Sequence, residues 1–148
     1  MEIRKLDKPD IVELLELYKH LHEKDSDISI EKIEDVWVQT STNKTITYIG
    51  GFIEGKLVSS CQMVIVPNFT RAGKPFCLIE NVVTHSELRN KGYGKKKLNY
   101  AIDLAWEKEC YKVMLMSGRN EESVIQFYQS VGFSADEKRA FIARPQCT

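Results

Sequence analysis

Hydrophobic and polar positions recur along this chain with two periods, and these periods predict a mixture of helices and strands. Apolar side chains three or four positions apart predict helices over about residues 8–21, 30–41, 92–109 and 121–131. Runs of β-branched and aromatic residues predict strands over residues 2–5, 45–53, 56–66, 76–84, 113–116 and 138–144. Asp7 and Ser29 are expected to cap the first two helices, and Gly132 to end the last one in a left-handed conformation.

The order of these elements predicts one domain built on a mixed sheet. Glu54-Gly55 joins two strand-like runs and predicts a hairpin, whereas residues 25–29 and 68–74 are polar and predict loops. Strand 76–84, the long helix and strand 113–116 predict a parallel pair, because a helical crossover returns the chain in the same direction. The other strands are expected to be antiparallel. A length of 148 residues suits a single hydrophobic core, so we expect one α/β (α+β) domain over residues 1–148.

Composition and charge narrow the class of protein. Lys plus Arg and Asp plus Glu both number 21, and this balance argues against nucleic acid as a partner. The four cysteines include no C-x-x-C pair, so no metal site is expected, and Cys61 and Cys77 are predicted to be small core residues. The first residues lack the apolar run of a signal peptide, and no stretch is long enough to cross a membrane. We therefore expect a cytoplasmic protein that contacts no membrane.

The most informative motif is Arg89-Asn90-Lys91-Gly92-Tyr93-Gly94, which follows a predicted strand and opens the long helix. Glycines at a helix start let backbone N–H groups approach an anion, and the helix dipole favours negative charge there. The lysines at positions 95–97 would oppose that dipole unless a polyanion offsets them. The run lacks Walker spacing, and Lys97 stands where a dinucleotide-binding fingerprint has its third glycine. The motif therefore predicts a bound phosphate group, which Arg89 and Lys91 would help to hold.

Residues 80–94 as a whole resemble the signature of the GNAT superfamily of N-acetyltransferases, in which Q/R-x-x-G-x-G/A binds the pyrophosphate of acetyl-CoA. A second match lies at Asn120 and in Phe127-Tyr128-Gln129-Ser130-Val131-Gly132-Phe133, where the family often has F-Y-x-x-x-G-F. The resemblance covers about residues 45–144. It implies a twisted, mostly antiparallel sheet with the element order β-α-α-β-β-β-α-β-α-β. It also implies a V-shaped opening between strands 76–84 and 113–117.

The resemblance assigns the contacts to acetyl-CoA, the implied cosubstrate. The pantetheine arm is expected along the backbone of residues 82–84, and the pyrophosphate on the amides of residues 91–95. Asn120 is expected to bond the pantetheine arm, and an Asn before Glu121 can also cap a helix. The implied cofactor-binding residues are Val82, Val83, Thr84, Arg89, Asn90, Lys91, Gly92, Tyr93, Gly94, Lys95, Asn120 and Tyr128.

Two side chains are candidates for proton transfer. Tyr128 matches a family tyrosine that protonates the departing thiolate, and a phenol with a pKa near ~10 carries its proton at neutral pH. The alternative is a packing tyrosine on an apolar helix stripe. Glu80 shares the side of Leu78 and Val82 by alternation, and it could accept a proton from an amine or serve as a structural carboxylate. The histone-acetylating branch carries its base two positions earlier, at Leu78 here, whereas amino-sugar acetyltransferases of the family have Glu at the position of Glu80.

Together, these observations predict an acetyl-CoA-dependent N-acetyltransferase that acts directly on a primary amine of a small molecule or a protein. A non-catalytic acyl-CoA-binding or sensing domain is the alternative, and a structural domain in which the loop is only a turn is a third reading. Residues 110–113 resemble the amino-sugar branch, but a polyamine, an antibiotic, an amino acid or a protein amine stays open as acceptor. His20 and His22 close the first helical region, which borders the acceptor site in the family, and His85 follows a strand. The oligomeric state is open, and a homodimer is one option.

Overall fold

A mixed sheet of five strands forms the centre of the larger of two structural units, Met1–Leu115. The structure is a computed structural model, and it describes residues 1–22 and 26–145. The strands are β1 (Glu2–Lys5), β2 (Ile46–Ile53), β3 (Lys56–Val66), β4 (Phe76–Thr84) and β5 (Val113–Leu115). They lie side by side in chain order. The first four pair antiparallel and β4 pairs parallel with β5, which confirms the predicted mixed sheet and its single parallel pair.

The helices of this unit are α1 (Ile11–Tyr18), α2 (Ile30–Ser41) and α3 (Tyr93–Glu107), with short 3-10 turns at Lys8–Asp10, Arg71–Gly73 and Ser86–Leu88. Ser29 caps α2 as predicted, because its Oγ accepts a hydrogen bond of 3.3 Å from the Lys32 amide. Asp7 precedes the 3-10 turn rather than α1 itself, and its amide donates to Asp10 Oδ2 at 2.8 Å. None of the described helices has the length and apolar character needed to span a membrane.

An apolar cluster packs α1 onto the sheet. Its buried members are Leu6, Leu14, Leu17, Phe52, Leu57 and Val83. Leu14 and Leu17 are the residues of α1 that are buried, whereas Leu15 is half-buried. Gly50 permits this packing, since a Cβ there would lie 2.3 Å from a methyl carbon of Leu6.

The second unit begins at Met116 and contains α4 (Glu122–Gln129). Its helix ends as predicted at Gly132, whose φ of 95° is left-handed. The Phe133 amide bonds to the Tyr128 carbonyl at 3.2 Å and the Gly132 amide to the Gln129 carbonyl at 2.9 Å, the two bonds of a Schellman motif. The ring of Tyr128 lies edge-on to Phe127 and Phe133, at centroid distances of 5.1 and 6.2 Å.

Two sequence predictions in this second unit are wrong. Residues 138–144 form no strand, and Phe141 and Ile142 are 87% and 67% exposed, so the apolar alternation has no sheet to pack against. Asn120 does not cap α4, because the cap position belongs to Glu121. The predicted loop at residues 25–29 begins at Asp25, which is outside the described residues, as is Cys147. The single domain over residues 1–148 stays a prediction.

Candidate functional site

A β-bulge interrupts β4 at its centre. Gln62 of β3 lies opposite Glu80 and Ser60 lies opposite Val83, so Asn81 and Val82 together oppose Cys61. Asn81 takes a left-handed conformation with φ of 51°. Val83, not Val82, therefore shares the side of Glu80, and the predicted alternation through Val82 is wrong because the extra residue reverses it.

The bulge coincides with the end of pairing on the other side of β4. β5 pairs with β4 only from Cys77 to Ile79, whose partner is Leu115. From Glu80 to Thr84, the described strands contact β4 on its β3 side alone. One edge of β4 therefore has no strand partner next to Glu80, as a V-shaped opening between the two strands requires.

The residues expected along the pantetheine arm lie in this part of β4. Val83 is buried, and its carbonyl accepts a hydrogen bond of 2.9 Å from Ser59 Oγ. Thr84 is half-buried, with its Oγ1 3.0 Å from the same hydroxyl. These bonds fix the strand on its β3 side.

Glu80 belongs to a row of polar side chains across the sheet. Tyr48 on β2 pairs with Gln62 on β3, and Gln62 pairs with Glu80 on β4, so all three project from the same face. We call these three residues the polar row. Glu80 is half-buried, and its carboxylate forms no hydrogen bond or ion pair with another residue of the described part of the chain. Sequence reasoning found Glu80 but missed the other two, although a polar Gln62 inside an apolar strand was a usable signal.

The loop before α3 has the backbone geometry of an anion site. Asn90 and Gly92 are both left-handed, with φ of 62° and 80°, and Lys91 lies between them. The first α-helical bond runs from the Lys96 amide to the Gly92 carbonyl at 3.0 Å, and no side chain caps the helix. The amides at the first three helical positions, residues 93–95, therefore lack intrahelical partners. A phosphate group could satisfy them.

Arg89 has two backbone acceptors in the structure. Its Nη2 donates to the His20 carbonyl at 2.9 Å, and its Nε donates to the Thr84 carbonyl at 3.3 Å. The side chain thus ties the loop after β4 to the end of α1. Within the described residues, both N–H groups of Nη1 and the second N–H of Nη2 have no acceptor, so a phosphate could bind through these donors.

Lys97 does not belong to the exposed lysine cluster that the sequence predicted. It is fully buried, whereas Lys95 and Lys96 are exposed. Its Nζ donates to the Ser60 carbonyl at 2.6 Å, and burial lowers the pKa of its ammonium. Helix geometry explains the error, because position 97 shares the buried face of α3 with Gly94, Leu98 and Ala101.

A cleft of about 450 Å³ lies beside the end of β4. Its lining includes His20 and His85, whose rings are 4.1 Å apart, and the carboxylates of Glu13 and Glu16. Glu13 accepts a hydrogen bond of 2.7 Å from the Leu57 amide, which makes it part of the scaffold.

The thiols of Cys61 and Cys77 are buried as predicted, and burial raises the pKa of Cys77 to about 12.

Comparison with known proteins places this chain in one family. Residues 10–133 match the model of the acetyltransferase (GNAT) family. The glucosamine 6-phosphate N-acetyltransferase of Trypanosoma brucei brucei is 32% identical over 142 residues, which are 94% of this chain and 92% of that protein. The chain belongs to the GNAT acetyltransferase family, and it is therefore an acyltransferase.

Solved structures agree with this assignment. An acetyltransferase from Agrobacterium tumefaciens str. C58 is 36% identical with a TM-score of 0.93, and the match covers 98% of this chain and 100% of that one. The glucosamine-6-phosphate N-acetyltransferase of Arabidopsis thaliana is 25% identical with a TM-score of 0.84, over 99% and 98% of the two chains. The mixed sheet and its helices are thus a GNAT fold, and the implied chemistry is acetyl transfer to an amine.

Proposed function

We propose that this protein transfers an acetyl group directly from acetyl-CoA to the primary amine of a small molecule, and that an amino-sugar phosphate such as glucosamine 6-phosphate is its acceptor. The loop at residues 89–95 carries the first half of this proposal, because its free amides and left-handed residues suit a pyrophosphate. The second half rests on the 32% identity to a glucosamine 6-phosphate N-acetyltransferase over nearly the whole chain.

Acetyl-CoA would be held by two adjacent segments. Its pyrophosphate would accept hydrogen bonds from the amides at residues 91–95, with the exposed Lys91 and Lys95 adding charge. The amides of its pantetheine arm would pair with Val82–Thr84, where β4 has an edge without a strand partner. Asn120 and Tyr128 complete the proposed contacts on the grounds of their match to the family motif.

The transfer needs one proton removed and one supplied. The amine nitrogen attacks the thioester carbon, and Glu80 accepts the amine proton directly or through water. A backbone N–H at Val82 or Val83 stabilises the oxyanion of the tetrahedral intermediate. The carbon–sulfur bond then breaks, and Tyr128 donates its proton to the leaving thiolate. Neither a covalent enzyme intermediate nor a metal enters this scheme.

Two measurements test the proposal in sequence. Acetyl-CoA at about a hundred times its dissociation constant should stabilise the fold by roughly 2.7 kcal/mol, visible as a higher unfolding midpoint. Release of CoA thiol should then be followed with a panel of amines, including glucosamine 6-phosphate, glucosamine, spermidine and free amino acids. Acetylation of glucosamine 6-phosphate with the highest kcat/KM supports the proposal. Binding of acetyl-CoA without turnover of any amine would favour the acyl-CoA-sensing alternative.

A further inference from the structure

The polar row carries more hydrogen-bonding capacity than the sheet uses. Gln62 Nε2 donates to the Tyr48 hydroxyl at 3.2 Å, and Asn81 Nδ2 donates to Gln62 Oε1 at 3.4 Å. The Gln62 amide is therefore held from both sides in one orientation. Since Tyr48 accepts from Gln62, its own proton is available to another acceptor, as is the second N–H of Gln62.

Tyr18 of α1 adds a third donor to this group. Its hydroxyl is buried, and within residues 1–22 and 26–145 no polar atom makes a well-formed hydrogen bond to it. Burial raises its pKa, so the hydroxyl keeps its proton, while a looser contact with the Asn81 side chain acts in the opposite direction. A buried hydroxyl that is poorly hydrogen-bonded is unfavourable for folding. Asn81 satisfies the oxygen of Tyr18 only in part, so its proton can still be donated to a ligand oxygen.

The two tyrosines of this group also contact apolar side chains. Tyr18 and Tyr48 both pack against the cluster that joins α1 to the sheet. Their rings are thus fixed by packing. The Tyr48 hydroxyl contacts Gln62, the cross-strand neighbour of Glu80, and the Tyr18 hydroxyl lies near Asn81 of the bulge. The group presents donors from Tyr18, Tyr48 and Gln62, and one carboxylate acceptor from Glu80. A ligand that matches it needs several oxygen acceptors and one amine.

We propose that Tyr18, Tyr48 and Gln62 form the specificity surface for the acceptor, and that they select amines with neighbouring hydroxyl or carbonyl oxygens over hydrocarbon amines. This inference rests on the proposed function, because it places the acceptor beside Glu80. It goes further in naming the residues that recognise the acceptor and the chemical groups they recognise. A six-membered ring that carries hydroxyls around the amine matches the surface, and an unsubstituted ring does not.

The first test compares two ring amines on three proteins. Glucosamine and cyclohexylamine are acetylated by wild type, Gln62→Met and the control Gln126→Met, and kcat/KM is expressed per concentration of free amine. Gln126 is an exposed amide on α4, so its substitution repeats the chemical change away from the row. We expect wild type and control to prefer glucosamine by at least about tenfold, and Gln62→Met to reduce that preference by about tenfold through KM. An equal loss on both amines, or an unchanged preference, would overturn the inference.

The second test uses Tyr18→Phe, which removes an oxygen that makes no well-formed hydrogen bond within the described residues and lies close to Asn81. We expect its unfolding midpoint to be unchanged or higher than wild type, while kcat/KM for glucosamine falls by about tenfold and that for cyclohexylamine does not. A lower midpoint with both rates reduced alike would indicate a structural role and overturn the inference.

The two proposals fail in different ways. If the wild type prefers cyclohexylamine to glucosamine, the specificity surface is wrong while acetyl transfer to amines stands. If the wild type binds acetyl-CoA but acetylates neither ring amine nor glucosamine 6-phosphate, both proposals are wrong.

Discussion

The Nζ of Lys97 lies 2.6 Å from the carbonyl oxygen of Ser60, at a position where neither residue is exposed to solvent. A lysine in the core of a small protein is rare, because its charged form loses most of its hydration. Burial accordingly lowers the pKa of Lys97. Ser60 lies opposite Val83, so this lysine reaches β3 directly beside the strand of the candidate site.

Lys97→Met should raise the free energy of unfolding at pH 7. The unfolded chain, with an ordinary lysine pKa of about 10.4, binds more protons than the fold, so wild-type stability rises with pH until that value. The advantage of the variant should therefore shrink by up to about 1.4 kcal/mol per pH unit as pH increases toward 10. Urea denaturation from pH 7 to 10 measures both effects. The exposed Lys96→Met is the matched control and should follow wild type, whereas a pH-independent gap for Lys97→Met would contradict the prediction.

Gly92→Ala should weaken acetyl-CoA binding by at least about tenfold. Gly92 has φ of 80° and a Cβ there would meet no atom within 4 Å, so the change strains the backbone without a clash. Gly55 in the β2–β3 turn has φ of 78° and equally open surroundings, which makes Gly55→Ala a control with the same strain of about 1–2 kcal/mol. Calorimetric titration with acetyl-CoA should separate the two variants. Similar affinities in both would indicate that the anion binds elsewhere.

Arg89→Ala should destabilise the protein even without ligand. Loss of the bonds to the His20 and Thr84 carbonyls should cost about 1 kcal/mol, or about 2–4 °C in the unfolding midpoint. Lys91→Ala, which removes an exposed charge from the same loop, should leave the midpoint of the unliganded protein unchanged and weaken acetyl-CoA binding. An unchanged midpoint for Arg89→Ala would mean that its backbone contacts add little.

Glu80→Gln should lower kcat/KM by roughly 10²–10⁴ if the carboxylate accepts the amine proton. The amide keeps the shape of the side chain opposite Gln62, so the fold should be unaffected. Activity should recover as pH rises, since a larger share of the amine then needs no base. Exposed Glu107→Gln serves as the control. A loss of the same size at every pH would instead assign Glu80 a role in positioning.

Tyr128→Phe should reduce kcat, toward the lower end of roughly 10²–10⁴ because a CoA thiolate leaves readily. The ring contacts with Phe127 and Phe133 need no hydroxyl, so packing should persist. Affinity for acetyl-CoA should barely change in calorimetry. Unchanged single-turnover rates, measured where chemistry limits, would exclude Tyr128 as the general acid.

The sequence predicted a strand correctly where an alternating pattern of residues also has a neighbouring strand to pair with. The bounds of β4 match the sequence prediction, because its apolar alternation is buried against β3. The same kind of pattern at residues 138–144 predicted a strand that does not form, since alternation cannot tell whether a partner strand is available. Long-range pairing, not local preference, decided between the two.

The sequence predicted where the loop before α3 begins the helix, but it did not predict how the candidate residues of the sheet are arranged. The glycines of the motif were correctly placed at the start of α3, and the helical spacing that buries Lys97 could also have been recognised in the sequence. The bulge at Asn81 left no local sign, because one extra residue in a strand changes the alternation only after it. Gln62 and Tyr18 meet Asn81 through the folded sheet and α1, so no sequence spacing could have joined them.

The bulge in β4 is dispensable for building the sheet. With Asn81 deleted, Val82 alone would lie opposite Cys61, and Glu80 and Val83 would still project from their present face. The shortened strand would lose a left-handed asparagine and gain a regular ladder. Deletion of Asn81 should therefore remove backbone strain from the sheet, and it should also remove the hydrogen bond that orients the Gln62 amide.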